Sequence, residues 1–238
     1  MVICKYKGDK LLSSIKRLLL FCLCRWYRNG NRIIVHKKDG KVVECFNYFG
    51  LSVRFKGKNS IIEIYEPIKF QRRLLVNRSH IKVEGDNNYI RIFSSCRSIH
   101  NIQAKAFGSN NKLIIGKNWY QNGFCFFDFG LLDNSNIVIG DNCMFGQDTK
   151  FMLGDYHSVL DVKTNKCLNI PRKGINIGNH VWIARDVRIM KNVTIPDDCI
   201  VGAGSNVTKE FSETNCIIAG NPARIVKNNI TWDYKNTK

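Results

Sequence analysis

The sequence predicts an all-β chain wound into a parallel β-helix of triangular section. Two observations lead there. Between Ile175 and Val207 an aliphatic residue returns every six positions, at Ile177, Ile183, Ile189, Ile195, Val201 and Val207. Ile175, Val181, Val187, Val193 and Cys199 stand two residues before five of these. An α-helix repeats near 3.6 and a one-faced strand repeats at two, so neither produces this period. A short strand plus a corner does, and three such steps close one coil. The second observation is a series of polar corners upstream. Gly57-Lys58-Asn59-Ser60, Gly85-Asp86-Asn87-Asn88, Gly108-Ser109-Asn110-Asn111 and Asp133-Asn134-Ser135-Asn136 each precede an in-out-in apolar strand. Asn and Gly suit such corners because they tolerate positive φ. Repeated aliphatics then point inward and stack coil on coil, about 4.8 Å apart.

Taken in order, residues 10–28 read as an amphipathic helix. Leu11, Ile15, Leu18, Leu19, Cys22, Leu23 and Trp26 recur at helical spacing, flanked by Lys10, Lys16, Arg17, Arg25 and Arg28. Such a helix packs on the protein or, in the sharper reading, lies on an anionic membrane surface. Residues 1–55 form a basic N-terminal extension in which strand-like runs begin, such as Ile33–His36. The β-helix domain is expected over 56–208, with Ile61–Tyr65 as an early strand and small insertions in the coils that repeat every 23 to 24 residues. The largest interruption, 146–174, projects as a loop. The repeat stops after Val207, and 209–238 form a cap with a turn at Asn221-Pro222 and a short helix or strand through Ile230 and Trp232.

Composition narrows the function. The formal net charge is +18. No RNP-like, helix-turn-helix or zinc-finger pattern supports nucleic acid as the partner. Cofactor phosphates and an acidic membrane surface fit the charge as well. The ten cysteines form no framework and no metal site. Cys143 and Cys199 fall where the repeat wants a small inward residue, which points to buried reduced thiols in a cytoplasmic protein, at the inner membrane face if the helix binds lipid. The apolar run Leu18–Cys24 is too short to span a bilayer, and Arg25 closes it without a small-residue cleavage site.

Three motifs carry a family resemblance: Ile177-Gly178-Asn179-His180-Val181-Trp182-Ile183-Ala184, Val201-Gly202-Ala203-Gly204-Ser205, and Ala219-Gly220-Asn221-Pro222-Ala223-Arg224. Over about residues 136–230 the chain resembles the hexapeptide-repeat acyltransferases, in particular the O-acetyltransferases of sugars and bacterial surface polysaccharides. The resemblance implies that the β-helix is left-handed and that the acyl donor is acetyl-CoA. It also implies a homotrimer with sites between subunits.

Acyl transfer to a hydroxyl needs a base, an oxyanion donor and a slot for the thioester carrier. Asp155-Tyr156-His157-Ser158 offers His157 as the base, since imidazole accepts a proton near neutral pH. Asp155 is expected to bond the other ring nitrogen and fix the tautomer. The position of His157, in the one long insertion before the regular repeat, matches the family's catalytic histidine. His36, His80 and His100 lie in the divergent half, and His180 falls at a corner. The resemblance places the pantetheine arm against Ala184, Arg185, Gly202, Ala203 and Gly204, with Trp182 as a wall. It places the nucleotide near Thr208, Lys209, Arg224 and Lys227. Asn122, Asp133, Gln147 and Asp148 are candidates for the acceptor side. Two departures stand out: Ala184 and Pro196 replace residues that are often Gly in the family. The gamma-type carbonic anhydrases share the fold but need a zinc-binding histidine trio, which this sequence lacks.

The expected activity is acetyl-CoA-dependent O-acetylation of a capsule, O-antigen or exopolysaccharide unit. The alternatives are an N-acetyltransferase of an amino-sugar nucleotide and a non-catalytic glycan-binding or scaffold β-helix.

Overall fold

The computed structural model describes residues 29–70 and 79–234. The expected helix over 10–28 lies outside them. Every described element is a strand, and the strands form three sheets that are parallel except for one antiparallel strand at an end of each of two sheets. From Lys112 to Val207 successive strands fall on the three faces of a prism in rotation, whereas the earlier coils carry strands on the first and third faces only.

The first face stacks Arg32–His36, Ile61–Tyr65, Tyr89–Ile92, Lys112–Ile115, Asn136–Ile139, Ile175–Ile177 and Thr194–Ile195. The second stacks Tyr120–Gln121, Met144–Phe145, Trp182–Ile183, Ile200–Val201 and Ile217–Gly220. The third stacks Leu51–Phe55, Ser79–Val83, Ile102–Ala106, Cys125–Asp128, Thr149–Met152, Arg188–Met190 and Asn206–Val207.

The six-residue period is the interior. All eleven aliphatic and thiol positions of the repeat are buried, and equivalent residues pair in register, as Ile137 does with Ile175 and Ile139 with Ile177. Larger side chains fill the middle coils. Phe127 and Phe151 stack at 4.7 Å, Phe145 meets Phe151 edge-on, and buried Trp119 donates its indole N–H to Phe93 O at 3.0 Å. Burial pushes the Cys143 and Cys199 thiols up to about 12, so both stay protonated and inert.

Corners are set by residues with positive φ. Asn59, Asn87, Asn110, Asn134 and Asn192 turn the chain from third face to first. Asn118, Asn142, His180, Asp198 and Asn215 turn it from first to second, and Asp148, Asp186 and Gly204 from second to third. Asn and Asp visit this region more readily than other non-glycine residues because their short polar side chains bond locally. Here they also bond between coils: Asn87 Nδ2 donates to Asn110 Oδ1, and Asn110 Nδ2 to Asn134 Oδ1.

Four expected boundaries move. Parallel pairing begins at Arg32, not residue 56, because Arg32–His36 lies in register on Ile61–Tyr65, and Leu51–Phe55 on Ser79–Val83. Val42–Cys45 folds back antiparallel on the first of these strands. The projecting loop starts after Met152, not at Gly146, because Thr149 and Phe151 point inward like any other rung. The coil also outlasts Val207: Phe211 N bonds Thr194 O, and Ile217–Gly220 continues the second face. The cap strand after the Asn221-Pro222 turn is Ala223–Lys227, antiparallel to Ile217–Gly220, and no strand or helix forms at 230–232.

Exposed Asn118, at φ 56°, tests the corner chemistry. Asn118→Val should cost about 1–3 kcal/mol of strain, whereas Asn118→Gly should change little, read as urea midpoints.

Candidate active site

Two clefts flank the third face, one at each edge. The first, of about 660 Å³, runs over the second face and the corner that follows it. It gathers Trp182, Ala184, Arg185, Gly202 and Ala203 with Asn122 and Gln147, seven of the residues singled out from the sequence. Gly204 and Asp148 occupy the same corner at positive φ. Small residues are required here by packing: a Cβ on Gly202 would stand 2.9 Å from Ala219 Cβ. The N–H groups of Ala184, Gly202 and Gly204 bond Val201 O, Ile218 O and Arg185 O along the coil. Those of Arg185 and Ala203 have no partner among the described residues.

Other candidates lie apart. Thr208 and Lys209 follow the last rung of the third face, where the Lys209 ammonium sits 5.4 Å from the Phe211 ring centre. Arg224 and Lys227 are exposed on the antiparallel end strand. Asp133 belongs to neither cleft. Its Oδ1 accepts the Ser109 N–H at 2.5 Å as part of the corner ladder, the same bond that Asp86 makes to Lys58 N two coils earlier.

The second cleft, about 170 Å³, lies at the corner between third and first faces, in the loop after Met152. His157 is exposed there, and its ring has no partner among the described residues. Its backbone is fixed: Asn169 Nδ2 donates to His157 O at 2.8 Å, and Asn169 Oδ1 accepts from Val159 N at 2.8 Å. Tyr156, at φ 62°, turns its phenol inward to buried Asp128, donating to both carboxylate oxygens at 2.7 and 2.9 Å. Burial and the Asp128 charge raise the Tyr156 pKa, so the phenol keeps the proton that makes this bond. Gly130 and Gly154 touch where the loop leaves the prism: a Cβ on Gly154 would lie 2.6 Å from Gly130 Cα.

Asp155 does not reach the His157 ring. Its carboxylate is bound by Lys191 Nζ and by Asn169 Nδ2 at 2.7 Å. Lys191 comes from the next coil's corner, and a cation at that position is a stronger partner than a neutral imidazole. Partial burial alone would raise the Asp155 pKa, but the bonds from Lys191 and Asn169 outweigh it and hold the carboxyl below the ordinary range. Asp128, Asn169 and Lys191 were not among the residues singled out from the sequence. Asp128 hides in a strand-like run, and Lys191 looks like any solvated corner lysine. Among the described residues no group of three His, Cys, Asp or Glu side chains is placed to hold a metal ion, and no helix is long and apolar enough to cross a membrane.

No family model matches the chain. It is 33% identical over 179 residues to galactoside O-acetyltransferase of Escherichia coli K12, covering 73% of this chain and 78% of that protein. It is 31% identical over 195 residues to polysialic acid O-acetyltransferase of Neisseria meningitidis, covering 72% and 87%. A 100-residue match at 36% identity to polysialic acid O-acetyltransferase of Escherichia coli O1:K1 spans 42% of this chain and only 32% of that protein. Among solved structures, the polysialic-acid-specific acetyltransferase NeuO superposes with a TM-score of 0.69 at 29% identity, covering 88% of this chain and 87% of that one. The chain therefore belongs to the hexapeptide-repeat O-acetyltransferases, and its prism is their left-handed β-helix.

The depressed Asp155 pKa sets a pH dependence. A carboxyl that ionises more easily when folded stabilises above its unfolded pKa and loses that contribution as pH falls through the folded value. Asp155→Asn should lower stability at pH 7 by about 0.5–1 kcal/mol, discounted for solvent exposure. The gap from wild type should narrow as pH falls below about 4, as measured by thermal melts across pH.

Proposed function

We propose that the protein transfers an acetyl group from acetyl-CoA to a hydroxyl of a bacterial surface glycan, in a site shared between two copies. The observation that carries this reading is the placement of the two clefts at opposite edges of one prism face. The exposed base stands at one edge and the carrier slot at the other, so one chain cannot bring them together. Three copies with this face turned to a common axis would set each base corner against a neighbour's slot corner. Outward residues of the face include Phe126, Met152 and Met190, all partly exposed. The loop around His157 exposes Leu160, Val162, Leu168 and Ile170, and exposed Leu131 lines the same cleft. A cluster of that kind marks an interaction surface.

The chemistry follows from the residues. The acceptor hydroxyl passes its proton to the His157 imidazole as its oxygen attacks the thioester carbonyl carbon. The carbon–sulfur bond then breaks, and the departing thiolate takes the proton back from the imidazolium. The products are an acetyl ester and free coenzyme A. The unpaired N–H of Ala203 suits the developing oxyanion, and that of Arg185 adds a second donor along the slot. Arg185, with Lys209, Arg224 and Lys227 further out, suits the nucleotide phosphates. The pinned loop backbone holds the imidazole in place while leaving both ring nitrogens available. The glycan acceptor is supported by relatives named for galactoside and polysialic acid, and Asn122, Gln147 and Asp148 are the residues proposed to face it.

His157→Ala should lower kcat by about 10²–10⁴ while coenzyme A binding, measured by calorimetry, stays within twofold. Turnover near wild type would remove His157 from the mechanism. Mixing His157→Ala subunits with Ala203→Trp subunits tests the shared site. Partial activity should return on subunit exchange, and a protein that is monomeric by light scattering would overturn the arrangement.

A further inference from the structure

The corner from first to second face is turned, coil after coil, by Asn118, Asn142, His180, Asp198 and Asn215, all with φ between 52° and 59°. Four of the five are Asn or Asp, and His180 is the large exception. The segment after Ala223–Lys227 supplies a reason. It turns back and descends this corner against the direction of coil growth. Ile230 N donates to Asn215 O at 3.0 Å, and Tyr234 Oη donates to Asn142 O at 2.9 Å. Between them Trp232 donates its indole N–H to His180 O at 2.8 Å and stacks on the imidazole at 4.3 Å and 10°. Asp198 holds that imidazole from the coil above, Oδ1 to Nδ1 at 2.7 Å.

Trp232 is itself buried, at 7% exposure. Besides His180, its ring meets Tyr234 edge-on at 4.9 Å and Trp182 at 6.1 Å and 49°, within the range of favourable aromatic pairs. Trp182 lines the carrier cleft. On its own face Trp182 stands in register between Met144 and Ile200, and Trp232 is its aromatic neighbour. We infer that Trp232 is a positioning residue for that cleft. The terminal strap, seated on the His180–Asp198 pair, sets the rotamer of Trp182 and so the shape of the wall against which the acyl donor lies. The inference rests on the donor reading of the cleft, whereas the contact between the two tryptophans does not.

The test has two independent arms on the full-length protein. In the first, 5-fluorotryptophan is incorporated at the four tryptophans and the Trp182 resonance is assigned by its loss in Trp182→Phe. Trp232→Ala should shift or broaden the Trp182 ¹⁹F signal, and an unmoved signal overturns the inference. In the second, Trp232→Ala should raise KM for acetyl-CoA about fivefold to tenfold with kcat within about twofold. Trp232→Phe should restore most of the loss, because it keeps a stacked ring. In a Trp182→Ala background, Trp232→Ala should have no further effect. An undiminished effect there would show that the strap acts elsewhere and would overturn the inference. If Trp182→Ala alone leaves the donor KM unchanged while Trp232→Ala still moves the ¹⁹F signal, the donor reading of the cleft fails and the positioning contact stands.

Discussion

Everything in this molecule depends on the in-register stacking of one coil on the next. A single coil of three short strands has no core and leaves its backbone groups unpaired on both sides. Its neighbours supply both needs at once, because each inward aliphatic meets its equivalent about 4.8 Å above and below while the N–H and C=O groups pair along the same axis. A side chain that is wrong for one coil is therefore wrong for two interfaces. That explains why the positions from Ile175 to Val207 are so restricted in type, and why the corner residues, His180 apart, are Asn, Asp and Gly.

The same constraint decides where chemistry can be placed. Inward positions are committed to packing, and most coil amides to their neighbours. Functional groups must sit on outward positions, at corners, or in insertions that leave the stack. The loop after Met152 is such an insertion. It carries an exposed imidazole, yet it is tied down by a buried carboxylate through Tyr156 and by Asn169 and Lys191 at its base. The first cleft takes the other route, with two amides left over at a corner where the chain needs small residues.

The regular coils were legible because their signal is periodic and local. Ile177 to Val207 read as interior from spacing alone, and all are buried. The start of the prism was not legible, since a hairpin and the strand Leu51–Phe55 separate Arg32–His36 from its partner strand, and a partner 29 residues away leaves no local period. The site was legible in part. Trp182, Ala184, Arg185, Gly202 and Ala203 were singled out from motif position, and the structure lines one cleft with them, while His157 stands exposed in the loop after Met152. The partner of Asp155 was not, because Lys191 approaches it through the coil stack from 36 positions away. Asp133 was misplaced for the opposite reason: a carboxylate beside the loop looked functional, while in the structure it bonds a corner amide.

Both ends of the prism finish on reversed strands, Val42–Cys45 against the first face and Ala223–Lys227 against the second. An open parallel stack is a template for further strands, and reversal closes part of that template. The coils between the two closures are interchangeable in a way the ends are not. Whole turns can be gained or lost in the lower half, away from the loop and slot, without altering either terminus or the relation between His157 and Ala203. The height of the prism between its two closures is thus a quantity that changes in steps of one turn.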